Sequence, residues 1–355
     1  MRLIGKEEIE KIAVGAALLG TGGGGDPYIG KLMALQAVEK FGPVKLLSVD
    51  ELKDDDLVVP SAMMGAPTVL VEKVPSGEES LAAFTALENY LDKKITATMP
   101  IEAGGVNSLI PIALAAQTGL PVVDADGMGR AFPELQMVTF YLDGINASPM
   151  VLADEKKNSL LLNAVDGMWT EKIARNATMT MGGSLLDAIY PMSGKQVKES
   201  SILDSLTLEE ELGDIILNSK HPIEDLVEKH NGKILFKGKI TDVERRTDGG
   251  FVRGSASFDG IEENIDMKAS LEFQNENLIC LVDGEPKCLT PDLITVLDAE
   301  TGMPITTEGL KYGMRGVILG MPADKKWRTE KGIETVGPRY FGYDFDYKTI
   351  EELNK

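Results

Sequence analysis

Helical and strand-like patterns alternate over residues 1–165, and this alternation limits the folds open to the chain. Residues 7–20 and then 27–41 carry helical patterns. Strand-like segments follow at 44–49, 57–60, 95–99 and 120–124, and helical segments at 78–91 and 106–118 interrupt them. Strands joined by helices of this length pair in parallel through crossovers. The pattern predicts a layered α/β domain with a mainly parallel sheet.

The pattern changes near Val165. Helical segments at 166–176, 206–218 and 223–229 lead into a strand-rich run from Ile234 to about Leu319, divided by turn signals such as Asp283-Gly284. The 355 residues also exceed the ~250 to 300 at which single cores usually stop growing. We therefore predict two domains, an α/β domain at residues 1–165 that carries the site loops and a mainly β domain with a few helices at residues 166–355.

The net charge of the chain limits the kinds of partner that it can bind. It has 36 basic and 56 acidic side chains, a formal net charge of −20, which repels nucleic-acid phosphates and anionic lipids at long range. No apolar run approaches the ~18 to 20 residues of a membrane span. Glu7, Glu8 and Glu10 stand where a signal peptide would need positive charge. The sequence predicts a cytoplasmic protein with no nucleic-acid or membrane partner.

A glycine-rich loop precedes the second predicted helix, and it consists of Gly22, Gly23, Gly24 and Gly25. Asp26 after it suits a helix N-cap, and Pro27 suits the first helical turn. Such a loop can present backbone N–H groups to an anion or a polarised carbonyl, and Asp26 belongs to the same predicted substrate-binding set. The loop follows a helix and no Lys-Ser/Thr pair follows it, so no nucleotide is expected. The alternative interpretation is a tight corner between two helices.

Two more loops follow predicted strands, where open α/β sheets bind ligands. The first holds Glu102, Gly104, Gly105 and Asn107, and the second holds Asp124, Asp126 and Arg130. The two aspartates can bind a divalent metal ion, zinc or similar, or one can act as a general base, while Arg130 can orient a substrate carboxylate or carbonyl. The alternatives are an ordinary strand–helix loop with a solvated glutamate and a turn formed by an Asp pair.

Histidine and cysteine offer few other routes to catalysis. His221 and His230 are the only histidines, which excludes a multi-histidine zinc site within one chain. Cys280 and Cys288 lie in a predicted β region and are interpreted as buried apolar residues rather than nucleophiles.

Several segments together resemble one family, DUF917, which is also named for S-methyl thiohydantoin desulfurase. The resemblance spans nearly the whole chain and rests on Gly22 to Pro27, Glu102 to Asn107 with Pro111, the run from Pro121 to Glu134, Pro291 to Ile294 and Gly337 to Tyr343. The run Asp-x-Asp-Gly-x-Gly-Arg-Ala-x-Pro is its most specific part. The resemblance to this family implies an α/β N-terminal domain, a β-rich C-terminal domain and relatives that act on hydantoin-like five-membered rings.

From this resemblance we expect a hydrolase whose substrate is a small cyclic amide or thioamide. Water would attack the ring carbon that bears sulfur. Asp124, Asp126 and Glu102 are the predicted catalytic residues, the glycine loops would donate N–H groups, and Asn107 and Arg130 would bind the ring or its side chain. Two other functions stay open: a non-catalytic partner of a hydantoinase or oxoprolinase complex, and a nucleotide-dependent enzyme that uses the glycine loop. The expected protein partners are a second copy of the chain in a homo-oligomer or a hydantoinase-like protein.

Overall fold

The computed structural model describes residues 1–25, 27–65, 69, 73, 75–248 and 250–355. Asp26, which the sequence predicts as a helix cap and substrate ligand, lies outside the described residues. Within them, none of the helices is long and apolar enough to cross a bilayer.

The described helices lie mainly in the first two thirds of the chain. They are α1 (Lys6–Leu19), α2 (Pro27–Phe41), α3 (Glu79–Leu91), α4 (Ile110–Thr118), α5 (Thr139–Leu142), α6 (Gly167–Thr180), α7 (Gly194–Ser200), α8 (Ser205–Asn218), α9 (Pro222–Lys229), α10 (Glu330–Val336) and α11 (Ile350–Leu353). Three single 3-10 turns are at Val49–Glu51, Glu262–Asn264 and Pro338–Phe341.

Strands β1 to β11 occupy the part of the chain up to Leu203. They are β1 (Arg2–Ile4), β2 (Val44–Leu47), β3 (Leu57–Gly65), β4 (Ala97–Met99), β5 (Val122–Val123), β6 (Ala125–Asp126), β7 (Met150–Ala153), β8 (Ser159–Leu162), β9 (Ser184–Ala188), β10 (Met192–Ser193) and β11 (Ile202–Leu203). The first sheet runs in the order β1-β2-β5-β4-β3-β9-β7-β8, with β10 paired to β3. Strands β6 and β11 form a separate pair.

The centre of the first sheet is parallel and its flanks are antiparallel. Strands β2, β5, β4 and β3 pair in parallel through helical crossovers, whereas β1, β9, β7, β8 and β10 pair antiparallel. Residues 61–65 belong to β3 because they pair with β9. The long β3 therefore joins the parallel centre to the antiparallel flank.

The second sheet is antiparallel throughout and follows from long alternating segments separated by short turns. Its strands are β12 (Lys233–Asp248), β13 (Phe251–Gly260), β14 (Lys268–Gln274), β15 (Glu276–Val282), β16 (Glu285–Leu289), β17 (Leu293–Asp298), β18 (Pro304–Ile305) and β19 (Arg315–Met321). They run in the order β16-β15-β14-β13-β12-β19-β17-β18. Cys280 and Cys288 are buried cross-strand neighbours in this sheet.

The predicted fold class is confirmed, with one refinement. The N-terminal part is mixed α/β with parallel central strands, and the C-terminal part is mostly antiparallel β with a few helices. The first sheet is mixed rather than mainly parallel, because strands after residue 150 extend it in the antiparallel sense. The last strand of the first sheet ends at Ser193, and the first strand of the second sheet begins at Lys233. The domain boundary at residue 165 therefore stays a prediction from the sequence.

Helices α1 and α8 pack at unusually close range because each presents a glycine to the other. A Cβ atom on Gly15 would lie 1.8 Å from the backbone oxygen of Glu209, and one on Gly213 would lie 1.9 Å from that of Lys11. Any larger side chain at either position would force the two helix backbones apart. This contact fixes α8 against the first sheet and so sets where Glu209 and the start of α8 lie.

We expect the substitution Gly15→Ala to destabilise the protein by about 1–3 kcal/mol, because the added methyl group has no room beside a backbone oxygen. In an isolated helix the same change would stabilise by up to about 1 kcal/mol. Urea unfolding followed by circular dichroism measures the difference. Glu211→Ala, at an exposed position of α8, is the control and should leave stability within about 0.5 kcal/mol of the unmodified chain. Stabilisation by Gly15→Ala would contradict this packing.

Candidate functional site

A cleft with a cavity volume of about 70 Å³ lies where the two sheets meet, enough for several water molecules or a small ring. Its walls come from β3, from the loop after β4, from β9 and from the turn between β14 and β15. The polar and glycine residues that line it are Gly24, Gly25, Gly65, Glu102, Asn107, Glu134, Arg175, Asp187, Asn275 and Glu276. Segments distant in sequence thus place four carboxyl groups in one cleft, and those of Glu102, Asp187 and Glu276 are buried.

Glu102 lies just beyond the end of β4 and is 4% exposed. Asn107 Nδ2 donates to Glu102 Oε1 at 2.6 Å, and the N–H of Phe132 donates to Oε2 at 3.3 Å. Asn107 is itself held because the N–H of Met63 donates to its Oδ1 at 2.8 Å. Burial raises the pKa of Glu102 to about 7, against the opposing effect of these hydrogen bonds. Glu102 therefore exchanges a proton near neutral pH.

Asp187 is a fully buried acid within the apolar strand β9. The N–H of Ala62 donates to its Oδ1 at 3.1 Å, whereas its Oδ2 is buried and has no hydrogen-bond partner among the described residues. Burial holds the pKa of Asp187 well above its usual range. Burial therefore favours the protonated form of this carboxyl group, which can donate a hydrogen bond.

Glu276 reaches the cleft from the turn that joins β14 to β15. It is 3% exposed, and its Oε2 is buried with no hydrogen-bond partner in the part of the chain that the structure describes. Burial raises the pKa of Glu276 well above its usual range, and the nearby Glu102 carboxyl raises it further, while Arg130 opposes both effects. The turn is held in place by Asn275, whose backbone N–H donates to the Val252 oxygen at 2.7 Å and whose Oδ1 accepts from the Val252 N–H at 2.8 Å.

The two glycine loops contact each other backbone to backbone. The N–H of Val106 donates to Gly24 O at 2.8 Å, and a Cβ on Gly105 would lie 2.1 Å from Gly25 O. Gly24 and Gly25 have positive φ angles of 74° and 81°, which favour glycine. Among the described residues, the N–H groups of Gly24 and Gly25 have no protein acceptor, so they are available to a ligand in the cleft.

The remaining glycines of these loops lie behind the cleft. Gly22 packs against the second sheet, where the N–H of Thr307 donates to its oxygen at 2.8 Å. Gly23 lies against Glu276, since a Cβ on it would approach Glu276 Oε1 to 2.1 Å. Gly104 donates its N–H to Ser108 Oγ at 3.0 Å. Of the predicted residues, the structure brings Gly24, Gly25, Glu102 and Asn107 together in the cleft.

Asp124 and Asp126 lie away from the cleft lining, at the start of α8. The N–H groups of Leu206 and Thr207 donate to Asp124 Oδ1, and the Thr207 hydroxyl donates to Oδ2, so Asp124 caps α8 from a distant loop. Ser205 Oγ donates to Asp126 Oδ1, and the N–H groups that follow Asp126 donate to Oδ2. Burial raises the pKa of Asp126 to about 6 against these hydrogen bonds. The catalytic role of these two residues stays a prediction.

Arg130 also lies outside the cleft, fully buried between the two sheets. Its five N–H donors all point to protein oxygens, which are Ala131 O, Pro291 O, Asp292 O, Thr21 Oγ1 and Asn277 O, at 2.7 to 3.0 Å. Its guanidinium also stacks 4.5 Å from the centre of the Phe132 ring. Arg130 thus has no donor left for a substrate and instead ties the glycine loop to the second sheet.

The predicted aspartate pair does not suit a metal ion. Each of its four carboxylate oxygens already accepts a hydrogen bond from a protein N–H or O–H group, and a cation would have to displace those donors. Among the described residues, the His, Cys, Asp and Glu side chains form no group of three or more that could bind a metal ion. The metal cofactor stays a prediction, and no catalytic step below depends on it.

Asp187, Glu276 and Arg175 are cleft residues that the sequence reading did not select. Asp187 is a single acid between Leu185, Leu186 and Ala188, and a charge inside an apolar strand is a signal that could have identified it. Glu276 similarly lies in a short polar stretch between apolar strands. The residues around Arg175 in the sequence do not indicate a functional role for it, because Arg175 reaches the cleft only through the position of α6.

Comparison with known proteins supports the fold and the family. The family model described as S-Me-THD-like, N-terminal domain, matches residues 7–164, and the one described as S-Me-THD-like, C-terminal domain, matches residues 165–350. The chain is similar to a protein from Chromobacterium violaceum solved by X-ray crystallography, with a TM-score of 0.80, 23% identity, and coverage of 99% of this chain and 100% of the other. That likeness concerns the fold alone. No curated protein matches the sequence.

We expect Glu102→Gln to flatten the dependence of stability on pH. A carboxyl group with a raised folded pKa stabilises the protein below its unfolded pKa, and that contribution is lost as pH rises through the folded pKa. For Glu102 the window extends from 4.5 to about 7. The unfolding free energy of both proteins should fall between pH 5 and 8. The fall should be roughly 1–3 kcal/mol smaller in the variant than in the unmodified chain. Urea titrations at several pH values measure this slope, and the exposed Glu211→Gln should not change it.

Proposed function

The chain belongs to the S-Me-THD-like family, and on that premise we propose that it hydrolyses an S-methyl thiohydantoin-type ring in the cleft between its two sheets. The observation that carries the proposal is the set of three buried carboxyl groups in that cleft, Glu102, Asp187 and Glu276. Burial raises the pKa of Glu102 to about 7 and holds the pKa values of Asp187 and Glu276 well above their usual range. This division supplies a base and two proton donors.

The proposed reaction is a hydrolytic desulfurisation. Water attacks the ring carbon that bears the methylthio group, and one of its protons passes to a base. The electron pair of the carbon–nitrogen double bond moves onto the ring nitrogen, which takes a proton from a donor in the cleft, and a tetrahedral intermediate forms. The carbon–sulfur bond then breaks, the sulfur takes the bonding electron pair, and a proton donor converts the departing thiolate into methanethiol. The remaining hydroxyl group loses its proton, and the ring is left as a cyclic imide carbonyl. No oxidant or reductant is required.

Glu102 is the proposed general base. A base works best when its pKa lies near the working pH, and Glu102 has a pKa of about 7 although an ordinary glutamate has a much lower value. The hydrogen bond from Asn107 Nδ2 fixes the orientation of the carboxylate. Asn107 is thus a positioning residue in this mechanism, since it acts through Glu102.

Asp187 and Glu276 are the proposed proton donors. Each is buried, carries a carboxyl oxygen without a partner among the described residues and has a raised pKa, so the protonated form of each is favoured. We assign protonation of the leaving sulfur to Asp187, which reaches the cleft from β9, whereas Glu102 follows β4. Glu276 lies close enough to Glu102 for the Glu102 carboxyl to raise the pKa of Glu276. Glu276 would hydrogen-bond to a ring carbonyl or nitrogen.

The glycine loop and Arg175 complete the proposed site. The N–H groups of Gly24 and Gly25 would stabilise negative charge on the tetrahedral intermediate. Arg175 Nε donates to Glu171 Oε1 at 2.6 Å and Nη2 donates to Pro133 O at 3.1 Å, which orients the guanidinium at the cleft wall. Its Nη1 would bind a ring carbonyl or a carboxylate on the ring substituent.

We expect Glu102→Gln and Asp187→Asn each to lower kcat for S-methyl thiohydantoin about 10²- to 10⁴-fold, because each removes one proton-transfer group while its shape is preserved. A thiol reagent that detects released methanethiol measures the rate. Thermal melting of the same samples shows whether each variant is folded.

Glu209→Gln is the matched control for these variants. Glu209 is also a buried carboxyl with a raised pKa and an unpaired Oε2, but it does not line the cleft. We expect this variant to keep kcat within about threefold. Full activity of a folded Glu102→Gln protein would remove Glu102 as the base, and equal losses in all three variants would point to a general structural effect.

The rate should rise with pH if Glu102 is the base. Only its ionised form accepts a proton, so kcat/KM should increase as pH rises through about 7, the pKa of the free protein. At higher pH the rate should fall as the proton donors ionise, since the pKa of Asp187 lies well above its usual range. The ascending limb should vanish in Glu102→Gln. A profile that is flat from pH 5 to 8 in the unmodified protein would exclude this assignment.

A further inference from the structure

A second cavity, of about 390 Å³, lies on one face of the C-terminal sheet and shares no lining residue with the cleft. Strands β12, β13 and β14 form its floor. Phe341 and Tyr343 of the C-terminal segment form one wall. Its volume lies within the range of about 300–1,000 Å³ that is usual for sites binding small molecules.

Two arginines face each other across the floor of this cavity. Arg246 is the direct cross-strand partner of Arg253, and Arg253 is in turn opposite Gln274. Directly opposite residues share one face of a sheet, and like charges in that arrangement repel. Among the described residues neither arginine makes an ion pair, and Arg253 Nε is buried without a hydrogen-bond partner. The neighbouring Arg245, by contrast, donates to Thr307 O and Leu310 O.

A parallel row of acidic residues lies two positions along the same strands. Glu244 is opposite Ser255, and Ser255 is opposite Glu272. Residues two apart in a strand lie on one face about 6.5–7 Å apart, so the acidic row and the arginine row face the same cavity. Burial raises the pKa of Glu272, and the nearby Glu244 carboxyl adds to the increase. The cavity thus has a positive end, where the two arginines repel each other, and a negative end, where the two glutamates repel each other.

We propose that this cavity is a binding site for a zwitterionic α-amino acid, with the ligand carboxylate on Arg246 and Arg253 and its ammonium group on Glu244 and Glu272. A simple anion would be attracted to the two arginines but repelled by the two glutamates. A simple cation would be attracted to the glutamates but repelled by the arginines. A zwitterion relieves both repulsions at once. Phe341 and Tyr343 provide an apolar surface for the amino-acid side chain.

The cavity is joined to the catalytic cleft by adjacent residues. Arg253 follows Val252, and Gln274 precedes Asn275, while Val252 and Asn275 exchange the two hydrogen bonds that hold the Glu276 turn. A ligand that orders Arg253 would therefore act on the strand that positions Glu276. This link is independent of the reaction proposed for the cleft, because binding can be measured without turnover.

Calorimetric titration of the full-length protein with L-phenylalanine tests the proposal. We expect saturable binding, which N-acetyl-L-phenylalanine and L-phenylalanine methyl ester should show at least about tenfold more weakly, since each lacks one of the two charges. Arg253→Ala and Glu272→Gln should each weaken L-phenylalanine binding about tenfold or more. Glu102→Gln should bind as the unmodified protein does, which separates this site from the cleft.

Arg315→Ala is the matched control, because Arg315 is an exposed arginine on strand β19 of the same sheet and does not line the cavity. It should leave binding unchanged. The proposal is overturned if L-phenylalanine gives no binding heat up to about 10 mM, if the N-acetyl compound binds equally well, or if folded Arg253→Ala and Glu272→Gln proteins retain full affinity.

Discussion

The buried guanidinium of Arg130 is the interaction on which the geometry of the cleft depends. A buried charge costs several kcal/mol unless it is fully hydrogen-bonded, and Arg130 uses all five donors on protein oxygens. Burial lowers its pKa to about 10, so it stays charged at neutral pH. Because its acceptors belong to Thr21 of the glycine loop and to Asn277 and Pro291 of the second domain, this one side chain fixes two walls of the cleft relative to each other.

Glycine makes the rest of that junction possible. The loop after α1 and the loop after β4 touch through their backbones, and Gly24 and Gly105 lie too close to a neighbouring backbone to carry a side chain. The same packing rule holds α1 against α8 at Gly15 and Gly213. Close backbone contact therefore recurs around the site, and it brings the Glu102 carboxyl near enough to Glu276 to raise the pKa of Glu276.

The buried acids in and near the cleft divide into two groups by their hydrogen bonds. Asp124 and Asp126 are surrounded by N–H and O–H donors, which makes them structural anchors for α8 and for their own turn. Asp187 and Glu276 are equally buried but each keeps an unpaired oxygen beside the cleft. Burial alone does not distinguish the groups, whereas the number of donors that reach each carboxyl does.

The sequence by itself determined the elements, the family and part of the cleft. Hydrophobic periodicity is a local property, so it predicted the alternation of helices and strands, the start of α2 at Pro27 and the β-rich second half. Glu102, Asn107, Gly24 and Gly25 were found because strand-end loops carry their signal in adjacent residues. Only the tertiary structure decided that Asp187, Glu276 and Arg175 complete the cleft and that Arg130 and Asp124 are committed to protein partners. Those outcomes depend on which distant donors reach a given oxygen, and no local pattern records contacts between residues that are 82 or 161 positions apart in the chain.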